Sequence, residues 1–139
     1  MGSYTVEVRN VHGAVTALGA AGPFTLVIDR PEAAGGGGRA FSGGELLNLA
    51  VAGCVSNDLF REAAKRGISL HRVVVAADSD YEGDPMVSTD IRYTVEVEGD
   101  ATVEELDELV RHVDRIAEIP NSLRAGTRVE LTDVRAAQG

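Results

Sequence analysis

Residues 44–58 read GELLNLAVAGCVSND, and the fold turns on whether this stretch is a helix buried on most of its sides. Just upstream, Ser42 is followed three residues later by Glu45. That is the pattern of a capping box, in which each side chain serves the other residue's backbone N–H. Leu46, Leu47, Leu49, Val51 and Val55 then lead on to Leu59 and Phe60. Gly67 closes the run after Lys65 and Arg66, whose charges suit the negative end of the helix dipole. The helix so predicted spans about 24 residues, or about 36 Å. Its first half, LLNLAVAGCV, is apolar nearly all round, as a helix covered on most sides must be. A chain of 139 residues rarely surrounds so long a helix unaided, so a homodimer is expected.

On either side of this helix the pattern changes period. YTVEVRNV alternates Tyr4, Val6 and Val8 with Thr5, Glu7 and Arg9, which predicts a half-buried strand. AVTALGAAG and FTLVIDR follow with glycine-rich breaks, so the first quarter reads as a β-meander ended by Pro31. The segment EAAGGGGRAFSGG has neither the lysine of a phosphate loop nor a GxGxxG spacing, and reads as a mobile connector. Beyond the long helix, HRVVVAADSDYEG and STDIRYTVEVEG are two strands joined around Pro85. Thr102 and Glu105 form another capping box. It opens a helix to about Ala117 with Leu106, Leu109, Val110 and Val113 as its buried stripe. Pro120 breaks the chain, NSLRAG suits a short helical turn, and TRVELTDV reads as a last strand. The order βββ-α-ββ-α-β predicts an α+β fold in one domain over residues 1–139, without internal repeats.

Composition narrows the function classes. Hydrophobic residues make up 44% of the chain and aromatics only 4%, so aliphatic side chains must fill the core. The formal charge of −9 repels phosphate backbones and anionic membranes, so neither nucleic acid nor membrane is an expected partner. No stretch approaches a transmembrane span, and the N-terminus MGSYTVEVRN lacks the features of a signal peptide. The single cysteine, Cys54, cannot form an internal disulfide, which fits a cytoplasmic chain. His12, His71 and His112 lie far apart without ligand spacing, so no metal and no other cofactor is expected.

Cys54 has two readings. It shares a helical face with Leu47, Ala50 and Val51, which suits a small residue packed in a core. A reactive cysteine needs help from a cation, a histidine or a helix N-terminus to become a thiolate. Cys54 lies well inside its helix, Asp58 follows at i+4, and no cation stands at i±3 or i±4. An activating arginine would therefore have to come from another segment or another subunit.

GGELLNLAVAGC resembles the start of the central helix in the OsmC/Ohr family, where a Pro-x-Glu-Leu-Leu segment leads to a small residue and a cysteine. The likeness continues through DLFREAAKRGISLHRVVVAADSDYEG. It returns in TVEELDELVRHVDRIAEIPNSLRAG, which is similar to the family's second helix and its Cys-Pro-x-Ser turn. The resemblance implies an intertwined homodimer with sites at the subunit interface, holding a hydroperoxide or a small apolar ligand. It also implies peroxide reduction by a peroxidatic cysteine, matched here by Cys54, and a second, resolving cysteine. At that second position this chain has Ile119, followed by Pro120, with Ser122 kept. The family's catalytic glutamate, ten residues before the cysteine, falls on Gly44, with Glu45 one residue off and about 180° around the helix from Cys54. The family's arginine falls near Ala14, with Arg9, His12 and Arg39 as substitutes. The candidate catalytic set is thus Cys54, Glu45 and Arg9. Two functions follow from it: a thiol-dependent hydroperoxide reductase of oxidative or osmotic stress working with Cys54 alone, or a non-catalytic ligand-binding or redox-sensing protein.

Overall fold

The computed structural model describes residues 2–139. In chain order it has β1 (Glu7–Asn10), β2 (Ala17–Ala21), β3 (Phe24–Ile28), a short 3-10 turn (Glu32–Ala34), α1 (Gly43–Lys65), β4 (Leu70–Glu82), β5 (Val87–Gly99), α2 (Val103–Ile116) and α3 (Glu118–Arg124). The fold is α+β, with one three-stranded sheet in the order β1-β2-β3 and one two-stranded sheet, β4-β5. The long helix falls where the sequence placed it. The chain forms two compact units: residues up to Ala50 with Asp78–Ile91, and Val51–Ala77 with Arg92–Gly139.

In the first unit the three strands form an antiparallel meander, with Glu7 opposite Ala20 and Ala17 opposite Ile28. Gly22, at φ +57°, and Pro23 make the two-residue turn between β2 and β3. The expected half-burial of the first strand does not appear. Tyr4, Val6 and Val8 are all exposed, because alternation specifies a face to be covered and does not itself supply the cover.

The glycine-rich segment is not a free connector. Asp29, only 6% exposed, accepts hydrogen bonds from the N–H groups of Arg30 (2.8 Å), Gly37 (2.9 Å) and Arg39 (3.3 Å) and from Thr16 Oγ1 (2.8 Å). The donors from Gly37 and Arg30, foremost among these, hold its carboxyl down at about 2. The loop must pass close to the strand it leaves. A Cβ on Gly36 would lie 2.1 Å from the Arg30 carbonyl oxygen, so only glycine fits there. The loop then delivers Ser42 as the cap of α1.

In the second unit, Val55, Leu59 and Ala63 of α1 pack against Leu109, Val113 and Ala117 in a sealed core. Val73, Val75, Tyr93 and Val95 of the hairpin close on it. Of the stripe predicted for α2, Leu106, Leu109 and Val113 are buried and Val110 half-buried, and the Thr102–Glu105 capping box is formed as read. Pro120 does not break the chain where it stands. It is the third residue of α3, where a backbone N–H would have no intrahelical partner, and the break falls earlier, at Ala117.

The last predicted strand does not form. Residues 127–139 are in no strand, and Val129 and Leu131 are 92% and 83% exposed. An alternating sequence becomes a strand only against a free edge, and this segment meets none within the chain. Burial along α1 is also uneven: Val51 and Val55 are sealed, Leu46 and Leu47 half-buried, and Leu49 is 51% exposed. No helix among the described residues is long and apolar enough to cross a membrane.

Candidate functional site

Cys54 belongs to the second unit. Its thiol is free, and the residue is half-buried at the margin of the apolar core, so the sulfur is neither sealed in nor fully in solvent. One turn further along α1, Asp58 is buried, with its Oδ1 3.0 Å from Nη1 of the exposed Arg61. On a helix, positions 54, 58 and 61 fall within about 60° of one another, so the three residues form one stripe. Arg61 also donates from Nε to Glu62 at 3.1 Å. Glu62 is buried in turn and gathers Lys65 Nζ at 2.8 Å and His112 Nε2, from α2, at 2.9 Å. Lys65, then His112 and Arg61, hold the Glu62 carboxyl at about 2. The polar edge of α1 therefore carries two buried carboxylates, each engaged by cations. The sequence reading missed this network because it looked for cations one turn from Cys54, and Arg61 stands two turns away.

A second polar group secures the C-terminal part of this unit. The Tyr93 hydroxyl of β5 donates to Asp114 of α2, and Arg124 of α3 reaches the same carboxylate at 2.7 Å. Burial, with the Asp114 hydrogen bond next, pushes the Tyr93 phenol up to about 12, so it remains a donor. The clamp fixes α3, which carries the half-buried Ile119 and buried Pro120. Ser122 Oγ donates to the Glu118 carbonyl at 2.6 Å, a helix-internal bond.

The other sequence candidates lie in the first unit. Glu45 is occupied as a cap: its Oε1 accepts from the Ser42 N–H at 2.9 Å and from Ser42 Oγ at 3.0 Å. These bonds, the backbone one first, hold its carboxyl below the usual range. Arg9 lies exposed on β1, with Nη2 2.7 Å from Glu7. At Gly44 a Cβ would approach the Tyr81 hydroxyl to 3.5 Å, so a longer side chain there would run against that ring. No group of three or more His, Cys, Asp or Glu converges on a metal position among the described residues.

The sequence matches the family described as OsmC-like protein over residues 35–132, which takes in α1 with Cys54, the hairpin, α2 and α3. The chain belongs to the OsmC-like family. Solved structures of the family share its fold at low identity. An OsmC-like protein of Mycoplasma pneumoniae superposes with a TM-score of 0.78 at 14% identity, over 91% of this chain and 90% of that one. An organic hydroperoxide resistance protein OsmC of Legionella pneumophila gives 0.60 at 17%, over 89% and 90%. An organic hydroperoxide resistance protein of Elizabethkingia anophelis gives 0.61 at 13%, over 91% of both chains. No curated protein matches the sequence.

Proposed function

We propose that this OsmC-like chain is a thiol-dependent hydroperoxide reductase of the cytoplasm that works through Cys54 alone, as a homodimer. The reading rests on one observation: the cysteine in the position that the family resemblance makes peroxidatic is free and half-buried beside an apolar core. A half-buried free thiol of this kind is accessible to a small peroxide.

The chemistry needs no cofactor. The Cys54 thiolate attacks the distal oxygen of a hydroperoxide ROOH. An S–O bond forms, the O–O bond breaks, and RO⁻ takes up a proton and leaves as the alcohol. The resulting sulfenic acid has no second cysteine in the chain to condense with. An external thiol R′SH attacks it, water leaves and a mixed disulfide forms. A second R′SH then releases Cys54 as the thiol, with R′SSR′ as product. The peroxide is reduced and two external thiols are oxidised, which balances the cycle.

A specific feature favours a second reading, ligand binding without catalysis. Val6, Val8, Phe24, Leu26, Ile28 and Leu46 line an apolar hollow of about 230 Å³ in the first unit, smaller than the roughly 300 Å³ at which drug-sized sites begin and so suited only to a small ligand. One experiment separates the two readings. Wild type and Cys54→Ser are mixed with cumene hydroperoxide, and free thiol and peroxide are followed with and without dithiothreitol. The enzyme reading expects equimolar loss of both without reductant and continued consumption with it, abolished in the variant. A wild-type thiol that outlasts excess peroxide would leave the binding reading.

A further inference from the structure

The polar stripe beside Cys54 has a role that neither packing nor capping accounts for. Asp58 places a carboxylate, 8% exposed, one helical turn from the sulfur. Left alone, a buried negative charge at that distance opposes a thiolate. Asp58 is not left alone, because Arg61 lies on the same stripe with its Nη1 3.0 Å from Oδ1. The second anchor of Arg61, through Nε to the buried Glu62, holds the half-exposed guanidinium along that face of α1. Glu62 is itself fixed from α2 by His112 and from its own helix by Lys65. Arg61 is held protonated more firmly than an ordinary arginine, by Glu62 first, then Asp58, with a smaller share from the Cys54 sulfur two turns away.

We propose that Arg61 is a positioning residue for Cys54: by pairing with the buried Asp58 it cancels the one negative charge a turn from the sulfur and so permits the thiolate that peroxide reduction requires. The inference deepens the peroxidase reading but concerns thiolate formation, which can be measured without peroxide. Asp58 in turn orients Arg61, so the two act as a pair, and the charge they leave next to the sulfur is near zero.

The test is the rate of Cys54 carboxamidomethylation by iodoacetamide, followed by intact mass on the full chain at one near-neutral pH. The proteins compared are wild type, Arg61→Met, Arg61→Lys, Asp58→Asn and the double variant Asp58→Asn/Arg61→Met, each checked for folding by thermal melting. Arg61→Met should slow alkylation about five- to tenfold, the size expected when one unit charge is left uncompensated near a partly exposed site. Arg61→Lys should stay close to wild type. The double variant, which removes the carboxylate together with its cation, should recover most of the lost rate, a pattern that lost packing alone does not produce. An Arg61→Met rate equal to wild type would overturn the proposal, as would a slow double variant. If Arg61→Met does not fold, the comparison of Arg61→Lys with Asp58→Asn still decides. Asp58→Asn should alkylate at least as fast as wild type, and a marked slowing overturns the pairing. Peroxide consumption is recorded separately. Alkylation that follows this pattern in a protein inert to peroxide would sustain the role of Arg61 and refute the peroxidase reading. Turnover with alkylation indifferent to Arg61 would do the reverse.

Discussion

Glu62 shows how a single residue couples two helices. It is buried on α1, and its carboxylate meets Lys65 and Arg61 from its own helix and His112 from α2. The carboxylate is the buried member of the group, so it is the one that loses compensation when a partner is truncated. Its carboxyl is lowered from 4.5 to about 2, so the folded state binds its proton less readily than the unfolded chain. The stability this contributes is fully present above about pH 4.5 and is lost as pH falls toward 2. Glu62→Gln should therefore be less stable than wild type at neutral pH, and the gap should close through that acid window. Urea midpoints of both proteins across the pH range check this, and a gap independent of pH would show that Glu62 acts through packing alone. The link between the helices was not legible in the sequence, where Glu62 and His112 stand 50 residues apart and nothing local joins them.

At the scale of elements, what the sequence showed clearly was whatever is settled locally. Both capping boxes, the stripe of α2 and the extent of α1 depend on neighbours three or four residues away, and they stand as read. The glycine-rich loop was misread because its order comes from Asp29, whose role appears only once the chain has turned back on it. Pro120 was read as a break because its place in the first turn of α3 depends on where α2 stops. The candidate site divides in the same way. The position of Cys54 was legible, while the pairing of Asp58 with Arg61 lay outside the one-turn spacing considered. α3 also offers a test of the chemistry, since Ile119 stands where the resemblance would put the family's resolving cysteine. Under the peroxidase reading, Ile119→Cys treated with one equivalent of hydroperoxide should form a disulfide between Cys54 and the introduced thiol, resisting the over-oxidation to which wild type is open. Intact mass distinguishes the outcomes: loss of two hydrogens in the variant, gain of one or more oxygens in wild type. An unreacted mass in both would sink the reading.

For the molecule as a whole, the decisive fact is how much apolar surface a single chain leaves uncovered. Val6, Val8, Phe24 and Leu26 are exposed on the meander, Leu49 and Phe60 on α1, and Val129, Leu131 and Val134 along the C-terminal segment. Single exposed hydrophobics are ordinary, but runs of them at strand and helix spacing mark surfaces meant to be covered. The C-terminal segment carries the most specific information. TRVELTDV alternates as a strand does, yet it forms none within the chain. We propose that the segment pairs with a strand edge of a second copy, each chain in a two-fold dimer lending the other the same segment. The proposed homodimer then explains three features together: the uneven burial of α1, the uncovered alternation of β1 and the unpaired tail. At micromolar concentration, sedimentation velocity should show wild type as a dimer. The double substitution Val129→Asp/Leu131→Asp keeps the backbone but places two charges on the face to be covered. It should shift the population to monomer, while the sealed core of Val55, Leu59, Leu109 and Val113, which lies within one chain, keeps its helical signal. A wild type that sediments as a stable monomer would defeat the homodimer, and a variant that remains dimeric would show that the tail is not what joins the copies.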